Sequence, residues 1–205
     1  MHIPEGVIQS APVLVTGAAL SAGGTAAGLW RLDHERVPRV GLAAAVFFVA
    51  SLIHVPVGPS SVHLMMSGLA GLLLGAAAFP AILVGLMLQA VLFQYGGLTV
   101  LGVNAWNAGA PAVFCGLILR PLIRRGVLGA GFAGFLAGSL SVLLAGLFTA
   151  GALIWAGEEF LASAVAIVGL HLPVAAVEGT VCAFAGAYVA RVKPEMLGME
   201  ATDAN

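Results

Sequence analysis

Charge is the scarcest commodity in this sequence. Only 8% of its 205 residues are charged, eight Lys and Arg against nine Asp and Glu, where a soluble domain carries about a quarter. That shortage excludes a soluble enzyme and a disordered chain, and eight basic residues are too few for a nucleic-acid-binding face, so no nucleic-acid partner is expected. Cysteine is scarce as well. Cys115 and Cys182 both stand in apolar runs and read as buried thiols, not as a disulfide pair. No basic segment precedes the first apolar stretch, so no cleavable signal peptide is expected. No Gly-x-x-x-x-Gly-Lys-Ser/Thr phosphate loop occurs, so ATP hydrolysis by this chain is not expected either.

What is present is apolar sequence in long runs. Hydrophobic residues make up 60% of the chain, glycine supplies 28 positions, and the mean hydropathy is +1.07. This composition predicts an all-α integral membrane protein. Its apolar runs cover residues 9–30, 40–57, 64–95, 108–119, 127–156 and 160–190. The basic residues fall between them in three clusters: Arg31, Arg36 and Arg39; Arg120, Arg124 and Arg125; Arg191 and Lys193. Cytoplasmic loops collect Lys and Arg, so all three clusters should share one side. A span needs about 20 residues, and the run 64–95 is half as long again. Only if it crosses twice, turning near residues 78–80, do the clusters lie together.

The reading is a bundle of about seven transmembrane helices in the cell membrane, N-terminus outside and C-terminus cytoplasmic. Pro173 predicts a break or kink in the last run. Glu158 and Glu159 fall on the outer side. One domain, 1–205, is expected, divided into an N-terminal segment 1–8, the bundle 9–190 and a polar, frayed tail 191–205. Ala18, Ala22 and Ala26, at four-residue spacing, allow close helix approach, either within the bundle or as a docking face for another membrane subunit.

Of five histidines, His34 lies in a charged inner loop and reads as solvated. His2, His54 and His63 converge on the outer side by charge counting alone. His2 has a chemistry of its own. A free Met1 amine, the His2 amide nitrogen and the His2 imidazole Nδ1 close two fused chelate rings on one metal ion, and the bulk of His2 should hinder removal of Met1. One further imidazole completes a four-nitrogen, roughly planar set, which favours Ni(II) or Cu(II). Binding needs proton-free nitrogens, so affinity should fall with pH.

Four stretches carry a wider resemblance: Met1-His2-Ile3-Pro4-Glu5-Gly6; His54-Val55-Pro56-Val57-Gly58-Pro59-Ser60-Ser61-Val62-His63; Gln89-Ala90, Phe93, Gly96-Gly97-Leu98, Leu101-Gly102 and Asn104; and His171-Leu172-Pro173 with Glu178-Gly179 and Lys193-Pro194-Glu195. In this order they resemble the substrate-capture subunits of energy-coupling-factor transporters for cobalt and nickel, the CbiM/NikM family. The resemblance implies a metal held by the Met1 amine, the His2 amide and imidazole, and His63. It also implies an N-terminal segment tucked into the bundle from outside, and a helix beyond the usual six. The implied partners are a transmembrane coupling subunit, two cytoplasmic ATPase subunits and often a small accessory membrane protein. The substrate is Co2+, for cobalamin biosynthesis, or Ni2+; family usage favours cobalt and the four-nitrogen donor set favours nickel. Two departures stand out: His54, where relatives often carry another residue, and Gly58-Pro59 in place of a glycine pair.

His54 is thereby a candidate extra ligand, proton relay or packing residue. Gln89, Asn104 and Asn107 need hydrogen-bond partners in lipid, either another helix or a shell that orients His63 and the N-terminal segment. His171 and Glu178, two turns apart on one helix face, either touch the metal site or steady Pro173. Two other classes compete. An intramembrane serine protease would use Ser67, but Leu64-Met65-Met66-Ser67-Gly68 lacks the first glycine of such a motif. A structural membrane subunit would use its histidines only for packing.

Overall fold

The computed structural model describes residues 2–30, 32–57 and 60–199, and for residues 54–62 the backbone only. Seven α-helices make up most of the described residues: α1 (Ala11–Trp30), α2 (Val37–Ala50), α3 (Ser67–Leu74), α4 (Ala78–Phe93), α5 (Leu101–Arg124), α6 (Ala130–Ala156) and α7 (Leu161–Val192). Five stretches are long and apolar enough to cross a membrane by length and composition: Ala11–Trp30, Ser67–Phe93, Leu101–Arg124, Ala130–Ala156 and Glu158–Val192. Large apolar side chains cover the outside as well as the core, Trp30, Phe184 and Val165 among them. A helix apolar on every face belongs in lipid. The protein is a multi-pass membrane protein.

The stretch Ser67–Phe93 does not run straight. His63, just before α3, and Gln89, late in α4, both lie against His2, yet a straight helix between them would run about 39 Å at 1.5 Å per residue. The chain reverses at a 3-10 turn, Gly75–Ala77, where Gly75 takes φ +61, a left-handed value that glycine adopts without a Cβ penalty. The turn is three residues before the one expected. It lies beside Arg36, Arg120 and Arg124, which line one cavity of about 280 Å³ with Gly75. Lys193 leads into a second 3-10 turn, Pro194–Leu197, whose Met196 carbonyl accepts from Arg120 at 3.3 Å. The described residues of the three basic clusters therefore gather at one end of the bundle. Asn104 and Arg120 on α5 are separated by about 24 Å of helix, which places the His2 end opposite.

Helices meet through glycine. At Gly71 of α3 a Cβ would overlap the Ala112 carbonyl of α5, and at Gly116 it would overlap Gly71 in return. In lipid no hydrophobic drive holds helices together, so this backbone proximity supplies the packing.

Several expectations need correction. The run 40–57 is not one helix: α2 ends at Ala50, and His54–Val57 (β1) pairs antiparallel with Ser60–His63 (β2), His54 opposite His63. Val55, Pro56 and Val57 explain the change, since β-branched residues suit a strand and proline lacks a helix donor. The fold is therefore helical with one hairpin. α7 is one helix through Pro173, so of the break or kink expected there the break is absent. Proline removes a single bond, and α6 grips α7 on both sides of it: Gly146 abuts His171, while Gly138 abuts Glu178 and Cys182. The tail is ordered at its start, with Leu197 fully buried. Ala18, Ala22 and Ala26 face outward. The inward face of α1 is instead Gly17 against Val103, Gly24 against Phe79 and Gly28 against Pro80, with Ser21 donating to the Gly102 carbonyl. Cys115 and Cys182 are free, buried thiols.

Candidate metal-capture site

The segment before α1 folds back over one end of the bundle. Ile3 and Ile8 are buried in a cluster with Val13, Val100, Val103 and Leu153, which anchors the segment by burial. Asn104 then clamps the Ile3 backbone from both sides: Oδ1 accepts from Ile3 N–H at 2.9 Å and Nδ2 donates to the Ile3 carbonyl at 3.0 Å. The Glu5 amide donates to the Gly96 carbonyl at 3.0 Å, and the Glu5 carboxylate accepts from the Thr99 amide and hydroxyl. Gly96 sits at φ +78 against His2 and Asn104, and a Cβ at Gly97 would overlap Glu5. The glycine pair thus makes room for the segment.

These restraints bring His2 to His63, with ring centroids 4.7 Å apart and planes tilted by 40°. His63 ends β2 and is buried. A chain of hydrogen bonds fixes the His2 tautomer. Ser51 Oγ gives its single proton to the Phe48 carbonyl at 2.6 Å, so it can only accept from Gln89 Nε2 at 2.8 Å. Gln89 therefore turns its oxygen to His2, and Oε1 accepts from Nε2–H at 2.6 Å. The proton resides on Nε2, and Nδ1 keeps its lone pair. Nδ1 is the ring nitrogen that can close a chelate with the backbone amide of the same residue. Removal from water pushes the His2 imidazole down from 6.5 to about 3, against the opposing pull of the Gln89 hydrogen bond. The ring stays neutral, and so able to ligate, throughout the ordinary pH range.

Met1 and the loop residues Gly58 and Pro59 lie outside the described residues, as does the side chain of His54. Among the described residues no group of three or more His, Cys, Asp or Glu is placed to hold a metal ion. Two imidazoles alone are an incomplete coordination sphere for a metal ion.

The other candidates separate cleanly. Gln89 and Asn104 serve the N-terminal segment. Asn107 reaches Thr149 of α6 at 3.3 Å and joins helices. His171 is buried against Gly146, and its Nδ1–H donates to the Ile167 carbonyl at 2.7 Å. Glu178 is fully buried and accepts from the Met65 and Met66 amides just after His63. The Ser67 hydroxyl is buried and shares a hydrogen bond with the Ser141 hydroxyl at 2.9 Å. His34 is exposed. Sequence reasoning missed Ser51 and the Glu5–Thr99 pair. Glu5 sits inside the opening motif, so its role could have been sought there, whereas a lone serine ending an apolar run carries no signal.

The chain is similar to known proteins along most of its length. The family model described as the cobalt uptake substrate-specific transmembrane region matches residues 2–196. The chain is 34% identical to the cobalt transport protein CbiM of Sorangium cellulosum, covering 96% of this chain and 94% of that one. It is 32% identical to the fused nickel transport protein NikMN of Rhodobacter capsulatus, covering 96% of this chain and 64% of the fusion. A crystal structure of a truncated transition metal transporter superposes with a TM-score of 0.77 at 26% identity, covering 95% of this chain and 99% of that one. The chain belongs to the CbiM family of cobalt-uptake substrate-specific transmembrane proteins.

Proposed function

We propose that the chain captures a divalent cobalt ion at the His2 end of the bundle. It does so as the substrate-specificity subunit of an energy-coupling-factor transporter in the cell membrane that supplies cobalamin biosynthesis. The ligands are the Met1 amine, the His2 amide and Nδ1, and the His63 imidazole. The observation that carries this reading is the pairing of His2 and His63 with the His2 proton parked on Nε2. The basic end faces the cytoplasm, so the N-terminus is outside, and α1 to α7 make seven crossings. A transmembrane coupling subunit and two ATPase subunits supply the ATP hydrolysis, and a small accessory membrane protein completes the assembly.

Nickel(II) is the second reading, favoured by the donor set. Four nitrogens in a plane suit Ni(II) better than high-spin Co(II), and affinity order alone selects neither cobalt nor nickel over copper.

The test compares metal content after equilibration with Co(II) or Ni(II) for protein beginning at Met1 and for protein with one residue added ahead of it. The native chain should bind about one ion and the extended chain should lose it, because the extension displaces the amine while keeping every side chain. Equal binding by both removes the terminal chelate from the account.

A further inference from the structure

Glu178 lies in the middle of α7, fully buried, and its carboxylate is spent on another part of the chain. Oε2 accepts from the Met65 amide at 3.0 Å and Oε1 from the Met66 amide. Met66, at φ +53, is left-handed, and it is the residue that caps α3. Two successive amides turned onto one anion make a backbone nest. Among the described residues no Lys or Arg pairs with Glu178. A carboxylate taken out of water is expensive unless its hydrogen bonds are made, so this clamp is a costly way to cap an eight-residue helix.

Its position explains the cost. Met65 follows His63 by two residues, and on the nearer side Leu64 donates to the Ile53 carbonyl at 3.2 Å, at the base of the hairpin. The His63 backbone is therefore gripped between the hairpin and a side chain of α7. α7 is in turn joined to α6 by backbone contacts at Gly134 and Gly138 and by the His171 ring against Gly146. Its far end packs with Leu197 beside the Arg120 cluster.

Resting on the reading of His63 as a ligand, we propose that Glu178 is the positioning residue of the metal site. It sets His63 against His2 and ties that ligand to α7, so metal capture and the seating of α7 are energetically linked.

The experiment measures Ni(II) affinity by equilibrium dialysis and counts nitrogen donors from the Cu(II) electron paramagnetic resonance spectrum. The proteins are wild type, Glu178→Ala, Glu178→Gln, His63→Ala and the Glu178→Ala/His63→Ala double variant. Glu178→Ala should weaken Ni(II) binding about 10- to 100-fold, as loss of an outer-shell partner does. Its Cu(II) spectrum should drop from four nitrogens to the three of His63→Ala, the terminal chelate surviving. The double variant should bind no more weakly than His63→Ala, because a residue acting through His63 has nothing left to act on. Glu178→Gln, isosteric and uncharged, guards against misfolding and should fall between wild type and Glu178→Ala. Multiplying losses in the double variant, or wild-type affinity and four nitrogens in both Glu178 variants, overturn the inference while leaving the metal site standing. Wild-type binding by His63→Ala overturns the site and this inference with it.

Discussion

His2 and Gln89 are joined by a 2.6 Å hydrogen bond across 87 residues of sequence, and the bond has a direction. Ser51 and Phe48 fix the Gln89 amide, Gln89 fixes the His2 proton on Nε2, and Nδ1 is left to meet a metal. Polarity set in the backbone of α2 thus decides which nitrogen of an imidazole ligates.

Gln89→Leu should release that tautomer. Metal affinity should fall about 10- to 100-fold, with the fold retained, and the 15N shifts of a labelled His2 ring should move from a single tautomer to a mixture. Unchanged shifts in the variant would remove Gln89 from the positioning role.

Asn104→Ala leaves the Ile3 amide and carbonyl without their partners. Each buried group then costs about 1–3 kcal/mol, so the N-terminal segment should undock in an appreciable fraction of molecules. Hydrogen exchange at the amides of Ile3 and Glu5 should accelerate, and metal affinity should drop with it. Asn107→Ala, which loses only the contact to Thr149, should leave both unchanged.

Acid should loosen the same segment in a defined window. Docked His2 takes up its proton only near about 3, while the undocked residue does so near 6.5. The undocked state binds more protons between those values, so docking is at full strength above about pH 6.5 and weakens as pH falls toward 3. Proteolysis of the segment in the metal-free protein should speed up across that range. A rate independent of pH from 7 to 4 contradicts the burial of His2.

Gly71→Ala tests the helix contacts. The added methyl would overlap the Ala112 carbonyl, and overpacking typically costs about 1–3 kcal/mol. The melting temperature in detergent should fall. Gly41→Ala, with open space around it, should not lower it.

The membrane class, the shared end of the three basic clusters and the reversal inside Leu64–Tyr95 were all legible in the chain. Hydropathy and charge are local properties, and lipid enforces them along the whole sequence. His2 and His63 were legible for a related reason: ionisable groups are rare in such a chain, and rarity makes them conspicuous. The β1–β2 hairpin and the continuity of α7 were not. Val55-Pro56-Val57 lies inside an apolar run, and hydropathy does not distinguish strand from helix there. Pro173 predicts a break only when no neighbouring helix grips both sides of it.

The division at the site has the same cause. Residue types told which groups could ligate, because chemistry resides in the side chain. Which of them meet was decided by the fold, since it depends on where backbones cross. Ala18, Ala22 and Ala26 read as a stripe for close approach, within the bundle or toward another subunit; they face outward while Gly17, Gly24 and Gly28 face inward, because helix rotation is set by all neighbours at once. Ser51 fixes the Gln89 amide that meets His2, and Glu178 grips the chain beside His63, only because α2, α4, α7 and the N-terminal segment converge. Sequence determined that this protein crosses membranes and carries a few imidazoles in a chain otherwise poor in ionisable groups. Tertiary structure decided which nitrogens face one another and which protons they keep, because hydrogen-bond direction exists only between groups that the fold has brought within reach.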